Sequence, residues 1–253
     1  MVLFATVDTV LVARYSAIDL AALAVGSAAY ITVFIGLMGV VLAVGPIVGQ
    51  LFGARRHEAA GEQLHQAVWL ALGLAVLGSV LLIFPQPFIA LAQATPEVTA
   101  KLRQYLLALA LALPAGLLFA AFRGFNIAVS RPKAVMVLQL SGLALKVPLA
   151  ALLVYGAGPL PALGVAGCGL STAITMWCVV GVSWWVLRRD PFYAPFAIFG
   201  RGLRPPSWPA LAAQLKLGVL ARASHPAEVH VSIESDARLL GEEPQIHSAF
   251  SNL

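Results

Sequence analysis

Long uncharged apolar runs, separated by short polar clusters, set the pattern of this chain. Met1 enters an apolar run that Arg14 ends, and no basic residue precedes it as a signal peptide would require. A helix over Met1–Ala13 is about 20 Å long at 1.5 Å per residue, against a hydrocarbon core of about 30 Å. The run therefore reads as the second half of a membrane helix whose first half is absent. Leu20 to Phe52 holds no charged residue, which is longer than one span needs, so one helix plus an approach segment is predicted. Arg55, Arg56, His57, Glu58 and Glu62 mark a polar loop before a third span at about Leu64–Phe84. Pro85-Gln86-Pro87 ends that span, because proline cannot continue the hydrogen-bond ladder. Thr95-Pro96-Glu97 reads as a helix start, with Thr95 as N-cap and Pro96 in the first turn. The fourth span covers about Gln104–Phe122, with Pro114 as a kink. Arg123, Arg131, Pro132 and Lys133 form a basic loop. The fifth span is about Ala134–Tyr155 and the sixth about Gly164–Leu187, with a turn cluster at Gly156-Ala157-Gly158-Pro159 between them. Arg188-Arg189-Asp190-Pro191 closes the sixth.

Composition agrees with this layout. The 253 residues are 60% hydrophobic and 11% charged, where a soluble domain is about 25% charged. Disorder, a disulfide scaffold and almost every soluble enzyme are excluded, and a multi-pass membrane protein remains. The net charge of +5 sits in short loops, which is how membrane topology is written, so no nucleic-acid partner is expected. Loops after spans two, four and six carry nine Lys and Arg, against three after spans one, three and five. The even loops are cytoplasmic by the positive-inside rule, in the cell inner (plasma) membrane. Cys168 and Cys178 lie about 15 Å apart along one helical run, beyond the roughly 7 Å limit for a disulfide.

Three regions follow: a transmembrane lobe at 1–187, a linker at 188–219 and a polar tail at 220–253. Ser207 can cap a helix over Trp208–Val219, with Leu211, Leu215 and Val219 on one face, as in a surface helix. The tail reverses the charge balance, with Arg222 and Arg238 against Glu228, Glu234, Asp236, Glu242 and Glu243. It contains no run able to span a bilayer. A shifted reading frame or a chimeric end after about Val219 accounts for it most simply.

Two ionisable residues fall at bilayer depth. Asp8 lies in an otherwise apolar run, where a carboxylate costs about 2.5–3.5 kcal/mol on the lenient insertion scale and ordinarily faces the bundle interior. Lys146 lies mid-span, on one helical face with Gln139, Gly142 and Ala150, and a direct Asp8–Lys146 pair is one outcome. Pro148 would free the Ala144 carbonyl nearby. Gly45, Gly49 and Gly53 repeat at four-residue spacing, which lets helices approach closely. Lys146, Gln139, Tyr30 and Gln50 are candidates for a transport cavity, and the rings of Tyr30, Phe34, Phe119, Phe122 and Phe125 could line it for a flat organic cation. There is no Walker loop, no HExxH and no paired CxxC, and the tail histidines are too scattered for a metal site. No enzyme activity and no cofactor is expected.

Val7-Asp8-Thr9-Val10-Leu11-Val12 followed by Ser16-Ala17-Ile18-Asp19-Leu20 resembles the first helix and loop of the multidrug and toxic compound extrusion (MATE) family, NorM type. Pro46-Ile47-Val48-Gly49-Gln50-Leu51-Phe52-Gly53-Ala54, Arg131-Pro132-Lys133, Pro148-Leu149, Val154-Tyr155-Gly156 and Gly164–Gly169 through Thr172-Ala173-Ile174 follow in that family's order. The resemblance covers about Met1–Val219. It implies an all-α membrane protein of twelve helices in two six-helix lobes, of which one lobe is present with its first helix partial. It also implies export of small organic cations against H⁺ or Na⁺, with Asp8 as the cation-coupling residue and a C-terminal lobe as missing partner. The chain alone is then expected to be inactive. Lys146 and Ala150 stand where the family often carries asparagine or acidic residues, so a fixed positive charge would replace a bound cation and favour H⁺. The rival readings are a lipid-linked oligosaccharide flippase of the wider superfamily, and a non-transporting fragment that dimerises through its glycines.

Overall fold

The computed structural model describes residues 2–92, 95–156, 161–199 and 205–223. Every regular element among them is helical: α1 Val2–Ala13, α2 Ala17–Val41, α3 Val44–Gly53, α4 His57–Ile83, α5 Gln86–Ala92, α6 Pro96–Ala128, α7 Pro132–Tyr155, α8 Val165–Arg189, a 3-10 turn Pro191–Phe196 and α9 Trp208–Ala223. Five stretches are long and apolar enough to cross a membrane, with α2 and α3 acting as one, and α1 is a shorter apolar helix. This is the all-α lobe of five full spans and one partial span that the pattern predicts.

The helix ends depart from expectation where polar residues continue a helix out of the apolar zone. The Leu20–Phe52 run becomes two helices, broken at Leu42 and Ala43. α4 begins at His57, seven residues before the apolar run, and α6 extends to Ala128, so Arg123 is helical and not a loop residue. Thr95 caps α6 as its sequence demands, accepting from the Val98 N–H. Pro85 ends α4, and a short helix follows it.

α6 is the spine, packed by α8, α4 and α2. Its internal Pro114 cannot bond the Ala110 carbonyl. The Ser79 hydroxyl of α4 donates to that carbonyl at 3.0 Å, and the Trp177 indole of α8 donates to Leu111 O at 3.0 Å. Neighbouring helices thus satisfy the backbone that proline frees, as a bilayer core requires.

The loops gather at two ends. At the basic end Arg131 pairs with Asp190 at 2.7 Å and lies over the Phe192 ring. Phe196 packs on Phe52, His57 and Phe125. The Tyr193 hydroxyl donates to Asn126, and burial pushes its phenol above the usual range. At the opposite end buried Asp19 accepts from the Val165 N–H at 3.3 Å and faces Lys101 at 3.5 Å. A carboxylate at the start of α8 suits its unpaired N–H groups and dipole. Gly164 has φ +57, and a Cβ there would run into that carboxylate.

Two packing expectations need correction. Among the α9 residues whose side chains are described, Gln214 and Gly218 are buried, whereas Leu215 and Val219 are exposed. A Cβ at Gly218 would lie 2.6 Å from the Val40 Cα, so the glycine face docks, and Gln214 fixes it by donating to the Gln63 carbonyl. The helix runs on to Ala223, past the boundary set at 220; the expected tail from 224 onward lies outside the described residues. In the Gly45, Gly49, Gly53 stripe, a Cβ at Gly49 or Gly53 meets nothing within 4 Å, and one at Gly45 only the Gly124 carbonyl at 3.9 Å. The stripe closes no helix interface within this lobe. Close approach is made instead at Gly167, where a Cβ would lie 2.6 Å from the Leu153 carbonyl oxygen.

Gly167→Ala should therefore cost about 1–3 kcal/mol through overpacking, read as a lower thermal midpoint of the purified chain in detergent. Gly49→Ala should leave the midpoint unchanged or raise it, since alanine favours helix by about 1 kcal/mol. Equal losses at both positions would contradict the packing.

Candidate functional site

Asp8 and Lys146 are both buried, 5% and 1% exposed. α1 places Asp8 against α7, and the Lys146 ammonium donates to Asp8 Oδ2 at 2.8 Å. The same ammonium donates to Thr172 Oγ1 of α8 at 2.6 Å. Thr172 can accept because its own hydroxyl donates backward to the Cys168 carbonyl at 2.9 Å. One ammonium thus joins three helices. Lys146 Nζ also stands 4.8 Å from the centroid of the Phe4 ring, a cation–π distance. Asp8 Oδ1 is buried without a hydrogen-bond partner, beside the Cys168 thiol.

This arrangement neutralises a charge that apolar surroundings would otherwise penalise. It also puts a covalently held cation against the carboxylate. Gly142, one turn before Lys146, keeps the contact open: a Cβ there would lie 2.8 Å from Val179 Cγ2.

Below the Phe4 ring, toward the basic end, lies a cavity of about 180 Å³ between α1, α2, α6, α7 and α8. Phe34, Met38, Phe119, Met136 and Met176 supply apolar walls; Arg123 and Gln139 are its polar side chains. A second cavity of about 340 Å³ lies between α4, α6, α8 and Ile198-Phe199, and Phe119 lines both.

Of the residues singled out in the sequence, Asp8 and Lys146 are brought together, and Gln139, Phe34 and Phe119 line the first cavity. Tyr30 does not; it is buried and stacked on Phe34 at 5.6 Å. Phe122 lines the second cavity, and Phe125 is core, packed on Phe196. Gln50 is exposed and lines neither. Thr172, Asp19 and Arg123 were not singled out by their chemistry. The Ser16-x-x-Asp19 capping-box spacing marks the second of them, and Ser16 does accept from the Asp19 N–H. Among the described residues no cluster of metal-ligating side chains occurs.

The MatE family profile matches residues 1–152. The "Probable multidrug resistance protein NorM" of Aromatoleum aromaticum is 45% identical over 212 residues, covering 84% of this chain and 46% of that protein. The "Multidrug resistance protein PmpM" of Pseudomonas aeruginosa is 33% identical over 231 residues, covering 90% and 47%. Among solved structures, that of the eukaryotic MATE transporter AtDTX14 superposes with a TM-score of 0.74 at 17% identity, over 85% of this chain and 47% of that one. The chain spans about half the length of the relatives it matches.

Removing either partner of the buried pair strands the other. Asp8→Leu and Lys146→Met should each destabilise the chain by about 3–5 kcal/mol, and the double substitution should recover most of the loss. Thermal unfolding in detergent measures the cycle; simple additivity of the two losses would argue against the pair.

Proposed function

The chain belongs to the MATE family, and from that premise we propose that it acts as the N-terminal lobe of a multidrug efflux antiporter of the inner membrane, its basic loops cytoplasmic. The transported class is small organic cations, moved outward by alternating access as this lobe and a second one rock about a central site. The relatives' names, NorM and PmpM multidrug resistance proteins, support the drug class. The observation that carries the coupling is the Lys146–Asp8 contact at 2.8 Å.

In this reading H⁺ is the coupling ion. Lys146 occupies the place beside Asp8 that a free cation would take, so an incoming Na⁺ would compete with a tethered charge. A proton added to the Asp8 carboxylate converts it to a neutral acid and removes the ion pair. The ammonium keeps Thr172 and the Phe4 ring, and α1 is left on α7 with the Tyr155 hydroxyl's bond to the Leu11 carbonyl and apolar packing, a looser hold. Movement of α1 reshapes the cavity beneath Phe4 and lets the substrate leave. A lobe by itself has no second wall for a central site and does not transport.

In efflux-deficient cells, this chain produced together with the C-terminal half of the Aromatoleum NorM relative should raise tolerance of a cationic dye several-fold. The chain alone should not, and Asp8→Asn should abolish the gain. In proteoliposomes a pH gradient without Na⁺ should suffice. A strict Na⁺ requirement contradicts proton coupling, and transport indifferent to Asp8→Asn contradicts the assigned role.

A further inference from the structure

We infer that the groove between α4 and α8 holds one acyl chain of an anionic phospholipid, whose phosphate is bound by Arg188 and Arg189. α4 and α8 both pack along α6 and hardly touch each other, so α6 forms the floor of a groove between them. The 340 Å³ cavity is that groove, with Ile198 and Phe199 at its basic end. Its open flank is marked by Val68, Leu72 and Val180, which are half-buried, and by Trp184, 47% exposed. Among helices long and apolar enough to cross a membrane, that flank meets lipid. From Val180 to Arg188 the α8 wall rises about 12 Å at 1.5 Å per residue. One leaflet is roughly 15 Å deep, half the hydrocarbon core.

The walls select hydrocarbon. Besides the Trp184 indole, their polar side chains are Ser183 and His65, and backbone occupies both. The Ser183 hydroxyl donates to the Val179 carbonyl at 2.7 Å, and His65 Nε2 donates to the Ile198 carbonyl at 2.8 Å. Among the described residues no carboxylate lines the groove, so an organic cation finds no counter-charge there. An acyl tail gains little by leaving lipid for the groove, because both are apolar. Preference therefore comes from the headgroup. Arg188 stands one turn beyond Trp184 on the same face of α8, with Arg189 next to it. Both are exposed, and neither belongs to an ion pair among the described residues. Asp190, the adjacent acid, is taken by Arg131 at 2.7 Å. Two exposed guanidiniums, following Trp184 and Trp185 at headgroup depth, offer paired N–H donors to a phosphate. A phosphatidylcholine headgroup brings a cation of its own to the same place, and a net-negative headgroup does not.

The groove lies apart from the Asp8–Lys146 pair, and lipid binding can be read without transport. The purified chain is placed in phosphatidylcholine nanodiscs carrying a small fraction of phosphatidylglycerol or phosphatidylcholine with a diazirine on one acyl chain. After photolysis the labelled residues are mapped by mass spectrometry. Around Leu72, Leu118 and Val180 the phosphatidylglycerol probe should label about fivefold more than the phosphatidylcholine probe, from two arginines near the surface. Exposed Leu107 and Val137 should show no such preference. Arg188→Gln with Arg189→Gln should erase the preference at an unchanged thermal midpoint. Val180→Trp, which fills the groove and spares both arginines, should cut labelling there by either probe. Equal labelling by the two probes, a preference that survives the double arginine substitution, or a groove that neither lipid labels, as when a second copy of the chain covers it, would overturn the site.

Discussion

A single buried ammonium organises the interior of this lobe. Lys146 reaches an aspartate on α1 and a threonine on α8 from its own place on α7. Neither α1 nor α7 could carry its charged group alone in hydrocarbon without a large desolvation cost. Together they neutralise one another, and Phe4 covers the pair with its ring. The short helix α1 depends on this contact most, since its main packing is along α2 and α7. The strength of a buried ion pair lies in what its loss leaves behind, an unpaired charge, more than in its net attraction. Loss of either charge would leave α1 held by apolar packing and by the Tyr155 hydroxyl, which donates to the Leu11 carbonyl at 2.8 Å.

The rest of the lobe is built to stay rigid around that contact. Pro114 would ordinarily soften α6, but Ser79 and Trp177 take up the carbonyls beside it. Asp19 holds the start of α8 at one end, and the Arg131–Asp190 pair with its aromatic cluster holds the 3-10 turn at the other. Glycines stand where backbones nearly touch, at Gly167 against Leu153 and Gly218 against Val40. Both ends are therefore tied by charges and close packing, and of the three ion pairs among the described residues the one in the middle is the most fully buried.

The span count, the Thr95 cap and the two intramembrane charges were legible in the chain because each rests on a local rule: length of an apolar run, cap chemistry, or the cost of a charge in lipid. What escaped was set by partners distant in sequence. Polar residues such as Glu62 and Arg123 read as loop, yet α4 and α6 carry their helices past the apolar zone because neighbouring helices support them. Arg123 in particular looks like one more basic residue of a cytoplasmic loop; only the fold turns it inward. The buried face of α9 was misjudged because hydrophobic spacing pointed to leucines, while docking went to the residue with no side chain. The stripe at Gly45, Gly49 and Gly53 shows the converse: small-residue spacing permits close packing without requiring it.

Phe119 gives the lobe a dimension of its own. Its ring lines both cavities and stacks on Phe122 at 5.9 Å, so one side chain is shared by the walls of two hollow spaces. Rotamer changes of such a ring are inexpensive beside helix movement. A rotation of the ring would join the first space to the second, which reaches His65 and Trp184. The hollow volume of the lobe is thereby set by the torsion of one phenylalanine, with the helical frame left as it is.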